Sequence, residues 1–176
     1  ALTGIAAVLA AAPSSKAAVT AASNYKQGKV YNITPKSKPF KNKYVKAPTY
    51  NKKTRTYFTI RSYMEKFQKA KKGTLVLKKG TYKITNTIQV PSNVTIILEK
   101  GAKIVKSNQT GTKKMKAATT IFQLIKPSNR EKSNVYGGHN GEKNIHFVGK
   151  GSNVMDLKYL KANIAIVMGH NKDITV

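Results

Sequence analysis

The chemistry open to this chain is bounded by six carboxylates, Glu65, Glu99, Glu131, Glu142, Asp156 and Asp173, among 176 residues. Cleaving a glycosidic bond normally takes two carboxyl groups facing one bond, and no adjacent Asp pair or Asp-x-Asp occurs. Glu65 falls in a helical pattern and Glu99 in a tight turn, so few acids remain for proton transfer. Asp156 and Asp173 would fit neighbouring strands, although Asp beside a turn more commonly caps backbone N–H groups. The histidines, His139, His146 and His170, lack metal-ligand spacing, and no cysteine joins them. His139 and His170 share a Gly-His-Asn context, which reads as a repeated turn needing Gly for its φ and Asn for local hydrogen bonds. No oxygen-rich cage for calcium, phosphate-binding glycine loop, dinucleotide fingerprint or Gly-x-Ser-x-Gly elbow is present. Catalytic residues are therefore unknown from the sequence, and no cofactor-binding or metal-ligating residue is assigned.

Cations dominate instead. The chain carries 33 Lys and Arg against 6 Asp and Glu, a net charge of +27. That imbalance attracts polyanions over long range and in a salt-sensitive way. Uronic-acid polysaccharides, teichoic-acid-like wall polymers and nucleic acids are the candidates; the bland alternative is a solubilising surface. Only Arg55, Arg61 and Arg130 are arginines, and Arg supplies the bidentate contacts that read guanine and grip phosphate, so nucleic acid ranks third. Residues 23–56 hold ten basic residues and no acidic one, interleaved with Tyr25, Tyr31, Phe40, Tyr44 and Tyr50 and cut by Pro35, Pro39 and Pro48. Regular structure is not expected there. Aromatic faces mixed with ammonium groups can make a binding arm for charged sugars or bases; a linker or an extended segment packed along the following domain is the more frequent explanation.

The elements that would position these groups are clearest in residues 73–105, GTLVLKKGTYKITNTIQVPSNVTIILEKGAKIV, where β-branched runs are cut by turn signals at short intervals. Strands are expected at 74–77, 81–84, 87–90, 94–98 and 103–105, with returns at 120–125 and 144–148. Polar excursions at 107–118 and 127–143 separate them. Ile97 breaks the ideal alternation of buried and exposed positions. Residues 59–70, TIRSYMEKFQKA, place Ile60, Tyr63, Met64 and Phe67 at helical spacing, with Thr59 as N-cap and Gly73 just past the end. The apolar run ALTGIAAVLAAA at 1–12 is too short for a membrane helix and reads as the core of a secretory signal. The expected organisation is a secretion remnant at 1–22, a basic extension at 23–56, and the N-terminal part of a truncated domain at 57–176. Its expected class is an all-β solenoid of stacked parallel strands closed by an N-terminal amphipathic capping helix.

The blocks LVLKKGTYKI and NIHFVGKGSNVMD resemble the pectate-lyase-like superfamily of right-handed parallel β-helices, over residues 57–176. The resemblance makes the expected solenoid a right-handed single-stranded parallel β-helix. It implies a groove on one parallel sheet that binds a polysaccharide, with catalytic residues in later coils, so no catalytic position transfers. Calcium would be the cofactor of a lyase of this kind. The function implied is a secreted polysaccharide-active protein, a lyase or glycoside hydrolase acting on an acidic, pectin-like polysaccharide. The alternative is a non-catalytic surface adhesin for anionic polymers. The expected partner is an acidic polysaccharide or anionic wall polymer; the expected location is outside a bacterial cell or on its surface. The complete protein is expected to be a monomer without a transmembrane segment.

Overall fold

The computed structural model describes residues 22–135, 141–158 and 160–176. The secretion core expected within 1–21 and the turn expected at Gly138-His139-Asn140 lie outside the described residues. In chain order the elements are β1 (Val30–Ile33), α1 (Asn42–Val45), α2 (Arg55–Ala70), β2 (Gly73–Leu77), β3 (Gly80–Ile84), β4 (Ile88–Gln89), β5 (Val94–Leu98), β6 (Ala102–Lys106), β7 (Thr120–Gln123), a 3₁₀ turn at Pro127–Asn129, β8 (Lys143–Gly149), β9 (Val154–Asp156), β10 (Ile164–Val167) and β11 (Lys172–Thr175). The strands form a five-stranded sheet, β1-β2-β5-β8-β11, and two three-stranded sheets, β3-β6-β9 and β4-β7-β10. Every pairing is parallel.

This corrects the expected class. At 17% helix and 32% strand the architecture is mixed, and its strands belong to three separate small parallel sheets, not to an all-β single-stranded solenoid or a closed barrel. The expected helix is present: residues 55–70 form a long helix that packs against β2, β3 and β4. The polar excursions break any constant period, so that Gly73 pairs with Val94 but Val94 with Ile145.

Strands buried on both faces read as continuous apolar runs, as expected of parallel sheets covered on both sides. All five residues of β2 (GTLVL) and of β5 (VTIIL) are buried. Register stacks Leu75 on Ile96 on Phe147 toward the main core, and Val76 on Ile97 on Val148 on the opposite face. That opposite face is covered by residues 22–27. Ala22 packs against Val76, Ile97 and Val148. Gln27 exchanges backbone bonds with the Thr74 hydroxyl at 2.7 Å, and the Thr95 hydroxyl donates to the Tyr25 carbonyl at 2.5 Å. The strap explains why Ile97, anomalous in an alternating pattern, is fully buried.

Regular structure also enters the basic extension. β1 pairs with β2 at the sheet edge. Tyr44 packs inward at 4% exposure, Tyr31 and Tyr50 are half-buried against Tyr63, Phe67 and Phe58, and Phe40 stays exposed. Burying those rings offsets the conformational entropy that the proline-broken chain loses on ordering.

Helix α2 begins at Arg55, four residues before the expected start. Thr54 is its N-cap, and Thr59 lies in its interior with its hydroxyl facing the carbonyls of Arg55 at 2.8 Å and Ser37 at 2.9 Å. The helix ends at Lys71, whose φ of 70° is left-handed. Gly73 is already the first residue of β2. There a Cβ would collide with the buried Phe67 ring. Gly73→Ala is expected to lower stability by about 1–3 kcal/mol through overpacking, read as a drop in the denaturant midpoint; an unchanged midpoint would show that the ring moves aside freely.

Candidate anion-binding site

Alternation along β3 turns Tyr82 and Ile84 into the core and leaves Thr81 and Lys83 exposed. Alongside, the chain enters α2 through a turn built by two short polar side chains. The Asn51 carboxamide accepts from the N–H groups of Lys53 at 2.8 Å and Thr54 at 3.2 Å. The buried Thr54 hydroxyl accepts from the N–H of Asn51 at 2.9 Å and donates to the Thr49 carbonyl at 2.7 Å. Asn51 also donates to the Thr110 carbonyl at 2.9 Å, tying this turn to the loop after β6. These bonds hold Lys52, Lys53 and Arg55 opposite Lys83.

Between them lies a cleft of about 300 Å³, lined further by Pro35, Thr56, Thr81, Ser107 and Gln109. Four cations face it and no carboxylate does. The Arg55 guanidinium donates to the Pro35 carbonyl at 3.2 Å, while its buried Nε has no hydrogen-bond partner. Lys53 reaches Gln109 at 3.4 Å. The first turn of α2 adds the positive end of the helix dipole. Four cations that face one cleft without a carboxylate suit a carboxylate, sulfate or phosphate group.

The carboxylates singled out in the sequence are not brought together. Glu65 accepts from the Tyr44 hydroxyl and from Arg61 at 3.2 Å and Arg130 at 3.3 Å, with Lys43 at 3.6 Å. Burial alone would raise its pKa, but the hydrogen bonds from Tyr44 and Arg61 win and hold it below the usual carboxylate range. Burial, then the bond to Glu65, pushes the Tyr44 hydroxyl up to about 12. Glu99 pairs with Lys150 at 2.9 Å, and Glu142 accepts from the backbone and hydroxyl of Ser92 at 2.5 and 2.6 Å. Glu131 takes a left-handed φ of 67° just after Arg130. Asp156 lies in β9 and accepts from the N–H of Lys158 at 2.7 Å, a turn-capping role, whereas Asp173 lies in β11 of a different sheet.

His146 holds structure in place. His146 bonds Thr175 at 2.9 Å and Asn144 at 2.8 Å and packs on Tyr25; burial lowers its pKa against the pull of Asp173. His170 sits in a turn where the N–H of Gly169 donates to Asn171 at 2.7 Å, and it is His170 itself that adopts the left-handed φ of 54°. His139 lies outside the described residues. Among the described residues, no group of three or more His, Asp or Glu could hold a metal ion, and no helix is long and apolar enough to cross a membrane. A larger hollow of about 600 Å³, between Leu98, Phe147, Met155 and Ile166, has no charged side chain in its lining.

One group escaped the sequence reading. Lys106, the last residue of β6, follows Ala102 and Ile104 at the inward positions and is 2% exposed. Its ammonium donates to the carbonyls of Thr85 at 3.3 Å and Ser107 at 2.8 Å and to Asn108 at 3.0 Å. The period-two spacing was the available signal. Lys83, Ser107 and Gln109 of the cleft carried none beyond polarity.

Comparison of the chain with protein-family models, curated proteins and solved structures finds no match. The likeness to pectate-lyase-like proteins therefore rests on its sequence blocks alone.

Burial pushes the Lys106 amine from 10.5 down to about 8. Between those two values the unfolded chain holds a proton on this residue that the folded chain has lost, so the contribution of Lys106 to stability rises with pH across that window. Lys106→Met removes that rise: relative to wild type, the variant is expected to be more stable at pH near the lower value than near the upper one. Denaturant midpoints of both proteins at the two ends of the window measure this, and a difference independent of pH would contradict it.

Proposed function

We propose that this protein binds an acidic polysaccharide, with the cleft between β3 and the start of α2 receiving one of its anionic groups. The observation that carries the reading is the set of four cations, Lys52, Lys53, Arg55 and Lys83, facing one cleft without a carboxylate in its lining. The net charge of +27 supplies the long-range attraction that would bring such a polymer in. A non-catalytic binding role, as in a surface adhesin for anionic wall polymers, fits these residues best, because the described acids are dispersed and four of them, Glu65, Glu99, Glu142 and Asp156, are committed to internal partners.

Cleavage of the same polymer, by lyase or hydrolase chemistry, is supported only by the sequence resemblance. Calcium would enter with the lyase form of that reading. The apolar run at 1–12 supports a location outside the cell or on its surface, and the lack of cysteine in such a chain is compatible with a bacterial source.

Binding to polygalacturonate and to neutral dextran across a salt series tests the proposal. Affinity for polygalacturonate is expected to fall steeply with salt while dextran is ignored. Removing two of the cleft cations together, Lys53→Ala with Lys83→Ala, is expected to weaken binding about fivefold at low salt. Equal affinity for dextran, or a double variant that binds as wild type does, would overturn the assignment. New reducing or unsaturated ends in the same incubation would move the reading from binding to cleavage.

A further inference from the structure

Two turns along α2 from the cleft, the packing changes from cationic to aromatic. The Tyr31 and Tyr63 rings lie 5.3 Å apart and Phe40 and Tyr63 5.9 Å apart, tilted by 50° and 49°. Phe40 is 49% exposed, the one aromatic among the exposed large hydrophobic side chains of the described residues. It is fixed there by its backbone, whose N–H donates to the Ser62 hydroxyl at 2.8 Å. Two ammonium groups are held over these rings. Lys66 lies 4.0 Å from the Phe40 centroid and 5.5 Å from that of Tyr31, and Lys29 lies 5.2 Å from Tyr31. A half-exposed ring fixed beside two ammonium groups offers a stacking contact and a charge contact within one ligand's reach.

We propose that Tyr31, Phe40 and Tyr63, with Lys29 and Lys66, form a second subsite that stacks a sugar ring of the polymer whose charged group enters the cleft. The inference rests on the acidic-polysaccharide reading above and narrows it. Thr56 of the cleft and Tyr63 of the platform are seven residues apart, which places them about 10 Å apart along the helix and within about 20° around it. The chain between Pro35 and Phe40 runs alongside, pinned to α2 by the bonds from Arg55 to Pro35, from Thr59 to Ser37 and from Phe40 to Ser62. It leaves Lys36 and Lys38 exposed between the two subsites, so the track stays cationic throughout.

A sugar polymer fits this track better than a nucleic acid does. Base readout relies on forked guanidinium groups, and along this track the guanidinium is confined to Arg55 at one end. The three rings are tilted against one another and offer no flat ladder for successive bases.

The chain has no tryptophan, so Phe40→Trp places a single fluorescent reporter in the platform of the full protein. Polygalacturonate is expected to shift that emission to the blue, saturating with the binding curve measured independently. Inorganic polyphosphate is expected to bind through charge and leave the emission unchanged. Phe40→Ala is expected to weaken polygalacturonate binding about tenfold and polyphosphate binding less than about twofold, with the thermal midpoint unchanged. An unmoved emission at saturating polygalacturonate, or equal losses for both polymers in Phe40→Ala, overturns the subsite and leaves the cleft reading standing. A greater platform dependence with single-stranded poly(dT) overturns the sugar assignment. Failure of wild-type protein to bind polygalacturonate at all removes the polysaccharide reading itself, and the subsite with it.

Discussion

Parallel pairing between strands far apart in the chain is the constraint on which the rest of this structure depends. Gly73 pairs with Val94 and Val94 with Ile145, so no strand finds its hydrogen bonds in a local hairpin. Such pairing incurs the loop-closure entropy before any contact rewards it. It is stabilised here by columns of like side chains, Leu75 on Ile96 on Phe147 and Tyr82 on Ile104 on Met155, which bury apolar area at every step. The columns need cover, and two segments provide it. Helix α2 packs across β2, β3 and β4, and residues 22–27 seal the opposite face of the large sheet.

Charge is arranged around that core with a scarcity of acids. Six carboxylates cannot neutralise 33 cations, so where each carboxylate sits decides where positive charge remains. Glu65 serves three cations at once, Lys43, Arg61 and Arg130, and thereby joins α1, α2 and the turn after β7. Around the cleft no acid is spent, and Lys52, Lys53, Arg55 and Lys83 stay uncompensated. The same helix that covers the core thus presents a neutralised flank to the fold and a cationic one to solvent. Lys106 is the exception, a cation inside the core accommodated by three oxygen acceptors.

Much of the strand pattern was legible because β-branched runs and turn residues act locally: the stretch VTIIL is a strand at 94–98 as its composition predicts. The overall class was not: the helix was visible in the spacing of Ile60, Tyr63, Met64 and Phe67, but three separate sheets of unequal size follow from long-range pairing that no local run encodes. Thr59 looked like a cap by type, but the turn made by Asn51 and Thr54 starts the helix earlier. The basic extension looked irregular because prolines interrupt it, yet the backbone of Val30–Ile33 pairs with β2. The reading of this stretch as an extended segment packed along the following domain agrees with that pairing and with the ring contacts of Tyr31 and Tyr50. What residue types alone could not show was that Tyr44 and Tyr50 turn inward while Phe40 stays exposed, and that Lys83, far away in the sequence, completes the cleft.

Amide hydrogen exchange with and without polygalacturonate tests the central claim most directly, since it locates the polymer without altering a residue. Slowed exchange confined to residues 36–40, 52–56 and 81–83 is the predicted result. Slowing at Val154, Ile164 and Met168 around the apolar hollow, with none along α2 and β3, would contradict it.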